Sequence, residues 1–215
     1  MDYLNYGKEK PSALSTIGVR SYKKPFPHLI LENFYDENEL ELIWEELNFY
    51  TKPGKLLEAK DYGAADNKTN AKALFLDRIY STHRSLSNIL TVNRKIFSSG
   101  ILHHFASIND ECAEVLKTNA DATKVRYYHD GDYYEPHTDP GCGFLTFSYF
   151  YKEPKKFSGG ELFFPDYDSG LTCENNSVII FPEWVKHGVN EVKIKDSDYY
   201  EGWGRYCISN FIFSA

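Results

Sequence analysis

Apolar and polar positions alternate differently in the two halves of the chain, with the change near residue 122. In the first half the spacing is helical. Leu40, Ile43, Trp44, Leu47 and Tyr50 recur on one face and predict a helix over 37–51. Asp36 followed three residues later by Glu39 supplies an N-terminal cap, and Pro53-Gly54 stops the helix. The run Leu86, Ile89, Leu90, Ile96, Phe97, Ile101, Leu102, Phe105 and Ile108 predicts mostly helix over 85–118, with Ser98-Ser99-Gly100 separating two helices. The apolar stretch in PFPHLILENF reads as a strand at 28–34, and residues 1–24 as a polar tail or edge segment. Residues 55–74 are small and polar and read as a long loop, a mobile lid that orders around whatever the protein binds.

After residue 122 the apolar runs become short, aromatic and β-branched: VRYYHDGDYYEPH, GFLTFSYFY, GELFFP, NSVIIFP, GVNEVKI and GRYCISNFIFS. Turn signals at Gly131, Pro140-Gly141, Gly159-Gly160, Gly170 and Pro182 separate them. Many short strands so punctuated predict a sandwich or jelly-roll barrel. The expected fold is therefore α+β, mainly β. It is a double-stranded β-helix core at about 122–215, braced by N-terminal helices within one domain over 25–215.

Composition narrows the function. Lys and Arg total 24 against 31 Asp and Glu, and this acidic balance of −7 disfavours nucleic acid, whose phosphates need a positive field. Four cysteines at long spacings match no zinc motif. In a chain of 215 residues they read as reduced thiols of a cytoplasmic protein. The N-terminal MDYLNYGKEKPSAL lacks the apolar core of a signal peptide, and no run approaches the ~20 apolar residues of a membrane span, so no membrane partner is expected.

His137 and Asp139 lie two apart in an extended Glu-Pro-His-Thr-Asp-Pro segment, which turns both side chains to one face. His187 follows the buried strand IIFPEWVK and stands at a strand mouth, where it can point inward to the same place. Two imidazoles and one carboxylate on one face of a metal leave positions open, the arrangement of non-haem Fe(II) oxygenases. On the last strand Arg205, Cys207, Ser209 and Phe211 alternate onto one face. A guanidinium among apolar neighbours needs a carboxylate partner, which it binds as a two-point fork.

The run Tyr128-His129-Asp130-Gly131-Asp132-Tyr133-Tyr134-Glu135-Pro136-His137-Thr138-Asp139 resembles the first metal-binding motif of the prolyl 4-hydroxylase-like Fe(II)/2-oxoglutarate dioxygenases. Gly159-Gly160-Glu161-Leu162 resembles the glycine pair before that family's middle strand. Phe181-Pro182 with His187-Gly188-Val189 resembles its distal histidine motif, and Gly204-Arg205-Tyr206 its cosubstrate anchor. The opening FPHLILENFYDENELELIWEEL is similar as well, so the likeness covers most of the chain. It implies Fe(II) held by His137, Asp139 and His187, and 2-oxoglutarate chelating the iron with its far carboxylate on Arg205. It also implies dioxygen as oxidant, ascorbate as an accessory reductant, and succinate and carbon dioxide as coproducts of C–H hydroxylation. Related halogenases lack the carboxylate that Asp139 supplies, so hydroxylation is implied. The substrate implied is a prolyl or other residue of a peptide or protein. A free amino acid or other small molecule is the alternative, as is a cupin-like metal protein without 2-oxoglutarate chemistry.

Two departures bear on the site. Arg205 stands 18 residues past His187, farther than in relatives, with KDSDYYEGW reading as a longer hairpin loop; Lys193 and Lys195 are nearer anchors by sequence. Cys207 replaces a serine that many relatives carry. By resemblance Tyr128 donates its hydroxyl to the cosubstrate. Its neighbour Tyr127 faces the other way, and strand register decides between them.

Overall fold

The computed structural model describes residues 17–63, 68–195 and 198–215, and the backbone of 2–4. In chain order the elements are β1 (Asp2–Leu4), β2 (Ile17–Tyr22), β3 (His28–Glu32), α1 (Glu37–Tyr50), α2 (Ala59–Tyr62), β4 (Lys72–Phe75), α3 (Leu76–Ile79), α4 (Asn88–Val92) and α5 (Ser99–Ala106). There follow β5 (Ala120–Tyr128), β6 (Tyr134–His137), β7 (Phe144–Phe150), β8 (Phe157–Ser158), β9 (Leu162–Phe164) and β10 (Ser169–Leu171). The last four are β11 (Ser177–Pro182), β12 (His187–Val189), β13 (Lys193–Ile194) and β14 (Arg205–Phe213).

An eight-stranded antiparallel sheet in the order β1-β2-β3-β11-β7-β14-β5-β4 faces a four-stranded one, β10-β9-β12-β6. This is the expected jelly roll. Side-chain alternation along the main sheet sorts residues into two cores. Val125, Tyr127, Val178, Ile180, Ile208 and Ile212 pack against Ile43, Leu47, Ile89, Ile101 and Phe105 of the helices. Their neighbours Tyr128, Leu145, Phe147, Ile179 and Phe181 pack against Tyr134, Leu162, Phe164 and Val189 of the small sheet.

Helix α1 starts as its sequence predicts. The Asp36 side chain accepts from the Glu39 amide while the Glu39 carboxylate accepts from the Asp36 amide, each at 2.9 Å. The expected pair of helices over 85–118 is instead two short helices, α4 and α5, interleaved with 3-10 turns at Arg84–Leu86, Asn93–Phe97 and Cys112–Lys117. Polar side chains drive the interruptions. Ser87 caps α4 by accepting from the Leu90 amide, and Asn93 turns inward to bond Asn210.

The long loop expected over 55–74 is another correction. Lys72–Phe75 is strand β4, paired with β5 along Lys72–Tyr127 to Phe75–Lys124. Leu57 bridges Ala73, and Thr69 bridges Tyr134. Ala71, Ala73 and Leu76 are fully buried, a run too short to show periodicity. The part of the lid expectation that concerns 64–67 lies outside the described residues, as do residues 1 and 5–16 of the N-terminal segment. Strand β2 extends the main sheet by pairing with β3. GVNEVKI is not one strand either: β12 belongs to the small sheet, and β13 pairs with β8 in a separate ribbon. No helix among the described residues is long and apolar enough to cross a membrane.

A buried polar bolt fixes β14 to the helical layer. The Asn210 carbonyl accepts from Asn93 Nδ2 at 2.6 Å and Thr146 Oγ1 at 3.0 Å, and its amide donates to Thr123 Oγ1 at 2.9 Å. Asn210→Ala strands Asn93 Nδ2 and Thr146 Oγ1 in a dry core, at about 1–3 kcal/mol for each unsatisfied group, while Thr123 Oγ1 keeps its bond to Asp121. We expect a loss of about 2–3 kcal/mol in urea unfolding with an unchanged slope; a loss under about 0.5 kcal/mol, the size of an ordinary surface substitution, would refute the bolt.

Candidate metal and cosubstrate site

Pairing of β12 with β6 sets His187 directly opposite His137. Asp139 lies just past the end of β6. Its Oδ2 is 3.4 Å from His187 Nε2 and 3.7 Å from His137 Nε2. One donor atom from each residue lies within 4.8 Å of the others, so the three can hold a metal ion. No other such group of three occurs among the described residues, and the five remaining histidines stand outside this one.

Each imidazole is aimed by its other nitrogen. His137 Nδ1 is 2.8 Å from the Glu135 carbonyl and His187 Nδ1 is 2.9 Å from the Val185 carbonyl. Donation from Nδ1 selects the tautomer that leaves Nε2 free as a ligand. The Tyr134 ring stacks on His137 at 3.9 Å and fixes its plane. Burial, then the adjacent His187, pulls the His137 imidazolium down to about 4. Burial alone would raise Asp139, but the hydrogen bond and charge of His187, with His137 and Lys124, hold its carboxyl down at about 2. The chain thus keeps a neutral His137 beside an ionised Asp139 at neutral pH, the states metal binding requires.

The pocket runs inward from this group along the faces of β5 and β14 and encloses about 320 Å³, counting the part open to solvent. At its deep end Arg205 is 1% exposed, between the rings of Tyr128 and Tyr149 with its guanidinium carbon 4.8 and 4.7 Å from their centres. Nη2 donates to Cys173 Sγ at 3.4 Å, while Nε and Nη1 have no partner among the described residues. The buried Tyr149 hydroxyl has none among them either. Gly160 makes room for the arginine: at φ +73°, a Cβ there would stand 3.0 Å from Arg205 Cδ. Lys193 and Lys195 are exposed, away from the pocket.

Register resolves the tyrosines. Tyr128 pairs with Arg205 across β5 and β14 and faces the pocket, its hydroxyl accepting from Arg126 Nη1 at 3.1 Å. Burial, opposed by Arg126 and Arg205, pushes the phenol up to about 12, so it remains a donor. Tyr127 faces the helices, and its hydroxyl accepts from the Gly204 amide.

Two lining residues carry polar groups that the sequence reading overlooked, Lys124 and Arg126; Tyr149, also overlooked, lies against Arg205. Lys124 and Arg126 share the inward face of β5 with Tyr128, at alternate positions. The alternation was present in Lys124-Val125-Arg126-Tyr127-Tyr128, but the segment reads first as an aromatic strand. Burial, then Arg126, lowers the Lys124 ammonium to about 7.

Comparison with solved structures gives the same architecture. The fold is that of the 2-oxoglutarate-Fe(II) oxygenases. A prolyl hydroxylase from Trichoplax adhaerens, in complex with a peptide fragment of the hypoxia inducible factor oxygen degradation domain, superposes with a TM-score of 0.61 at 14% identity, over 87% of this chain and 83% of that one. A 2-oxoglutarate-Fe(II) oxygenase family protein from Burkholderia pseudomallei gives 0.55 at 14% identity, over 86% and 84%. A Pseudomonas putida prolyl-4-hydroxylase gives 0.52 at 13%, over 87% and 92%. No protein-family model matches the sequence, and no curated protein sequence matches it.

The depressed His137 sets a pH dependence. Its folded value of about 4 lies below the ordinary 6.5, so between those pH values the unfolded chain binds more protons. Stability of the metal-free protein falls as pH drops through that window, by roughly 2 kcal/mol at pH 5 from this residue. Urea titrations at pH 7 and pH 5 should show that loss in the native chain and a smaller one in His137→Gln. Parallel pH profiles for the two proteins would show that His137 is not the cause.

Proposed function

We propose that this protein is an Fe(II)- and 2-oxoglutarate-dependent dioxygenase of the prolyl 4-hydroxylase-like kind. On this reading it hydroxylates an unactivated C–H bond, in a prolyl or other residue of a peptide or protein. The observation that carries the reading is Arg205. A buried guanidinium with two nitrogens unpartnered among the described residues, in a pocket that also holds a His-Asp-His group, calls for a carboxylate ligand that those residues do not provide. A metal-binding jelly roll without 2-oxoglutarate has no use for it.

The residues fit both groups. Two imidazoles and one carboxylate suit Fe(II), and the Arg205 and Tyr149 atoms without partners among the described residues suit the far carboxylate of a dicarboxylic acid. His137, Asp139 and His187 would hold the ion, with the Glu135 and Val185 carbonyls keeping the imidazoles in place. Arg205 would bind the 5-carboxylate as a fork, and the Tyr128 and Tyr149 hydroxyls would donate to it. Phe147, Val189 and Phe211 line the remaining wall and exclude water. Bound Fe(II), with 2-oxoglutarate and dioxygen, supplies the oxidation that places a hydroxyl on the substrate and yields succinate and carbon dioxide.

The test is succinate release from 2-oxoglutarate with Fe(II), across proline peptides and free amino acids. His187→Ala should abolish turnover and metal binding in a folded protein; near-native turnover would sink the triad. A charge-assisted hydrogen bond contributes about 1.5–3 kcal/mol, so Arg205→Ala should raise the 2-oxoglutarate constant roughly ten- to a hundredfold with iron affinity little changed. Arg205→Lys keeps the charge without the fork and should fall between. Should Lys193→Ala or Lys195→Ala have the effect instead, the anchor assignment is wrong.

A further inference from the structure

The pocket lining holds more basic groups than the cosubstrate and the metal ligands account for. Lys124, Arg126 and Arg205 are 6%, 5% and 1% exposed, and none of them makes a salt bridge among the described residues. Against them the pocket lining sets one carboxylate, Asp139. A divalent ion adds two positive charges and 2-oxoglutarate brings two negative ones, so loading both leaves the cationic excess where it was.

The excess is localised. Across β5 and β14, Arg205 pairs with Tyr128, Cys207 with Arg126 and Ser209 with Lys124. Same-face positions on a strand repeat every ~6.8 Å, so Lys124 lies ~14 Å along β5 from the rung of Arg205. A five-carbon diacid spans about half that length from bond dimensions and cannot serve both ends. Two Arg126 nitrogens, Nε and Nη2, are buried without partners among the described residues. The Lys124 ammonium lies over ring faces, 5.1 Å from the centre of Phe75 and 4.6 Å from that of Phe211, and both of those rings are partly exposed. Lys124 therefore lies at the aromatic end of the pocket, with Arg126 one same-face position nearer the rung of Arg205.

We propose that Lys124 and Arg126 form a second anion site, and that the group presented for oxidation carries a carboxylate held there. On the dioxygenase reading, which this inference deepens, the substrate is a carboxylic acid or a peptide with an acidic side chain beside the target carbon. A bound carboxylate satisfies both orphaned guanidinium nitrogens and offsets the repulsion between the two cations. A neutral peptide leaves them buried and unpaired.

The test uses the full chain loaded with redox-silent Mn(II) and saturating 2-oxoglutarate, with binding followed by calorimetry. Propionate is compared with propionamide. The blocked peptide acetyl-Ala-Asp-Pro-Ala-amide is compared with its Asn counterpart. We expect the carboxylate of at least one pair to bind about tenfold tighter than its amide without displacing 2-oxoglutarate. Preference in the first pair alone indicates a small acid, and in the second an acidic peptide. Lys124→Met and Arg126→Gln should each bring that ratio below about threefold, with 2-oxoglutarate affinity held close to native. Equal or absent binding of acid and amide in both pairs overturns the proposal, and this comparison needs no variant to fold. So does an Arg126→Gln protein that loses 2-oxoglutarate as Arg205→Ala does, because the cation then belongs to the cosubstrate. Failure of the native chain to bind Mn(II) and 2-oxoglutarate at all overturns the dioxygenase reading along with it; their binding without acid preference overturns this inference alone.

Discussion

Alternation along one strand organises the molecule. Strand β14 lies between β5 and β7, paired over nine residues with the one and seven with the other. Its even-numbered residues Tyr206, Ile208, Asn210 and Ile212 turn to the helices, and Arg205, Cys207, Ser209 and Phe211 turn to the pocket. A slip of one residue would place Arg205 in the helical core and Ile208 in the site. The Asn210 bolt, the Thr51–Tyr206 hydrogen bond and the Arg205–Tyr128 rung all oppose that slip from different directions. The pocket face is thus held by packing on the helical face.

The second constraint is desolvation. Removing an arginine from water without a partner costs several kcal/mol. Here the cost is concentrated in one pocket, where aromatic rings soften it: Tyr128 and Tyr149 flank Arg205, Tyr134 faces Arg126 at 4.2 Å, and Phe211 faces Lys124. Ring faces attract cations without neutralising them, so the positive field remains available to an anion. The helical half handles buried charge differently: Glu46 is satisfied on the spot by Ser87, Tyr50 and the Ile89 amide. Both strategies in one chain mark the pocket's unpaired cations as a property of the site.

Legibility in the sequence followed the same physics. His137 and Asp139 could be placed because a spacing of two in extended chain has one geometric meaning, and Arg205 because a charge in an apolar alternation stands out. His187 could be placed at a strand mouth after IIFPEWVK, but its position directly opposite His137 arises from a pairing 50 residues apart in sequence and has no local pattern. The capping box of α1 is local and was readable. Strand β4 was hidden, because an edge strand of four residues gains its hydrogen bonds from β5 and carries little pattern of its own. Lys124 and Arg126 were hidden differently: on a surface strand the same alternation of charged and apolar residues is ordinary, and only the closing of the small sheet over it makes it a pocket lining.

That last point bears on the division of labour in the fold. The small sheet and its flanks contribute His137, Asp139 and His187, while every cation of the pocket comes from the main sheet, Lys124 and Arg126 on β5 and Arg205 on β14. The metal group therefore sits on one wall and faces the positive field of the other. The three residues able to hold an ion and the three cations stand on separate strands with separate hydrogen-bond ladders. Substitution at Lys124 or Arg126 leaves the imidazole–carbonyl contacts that aim His137 and His187 untouched.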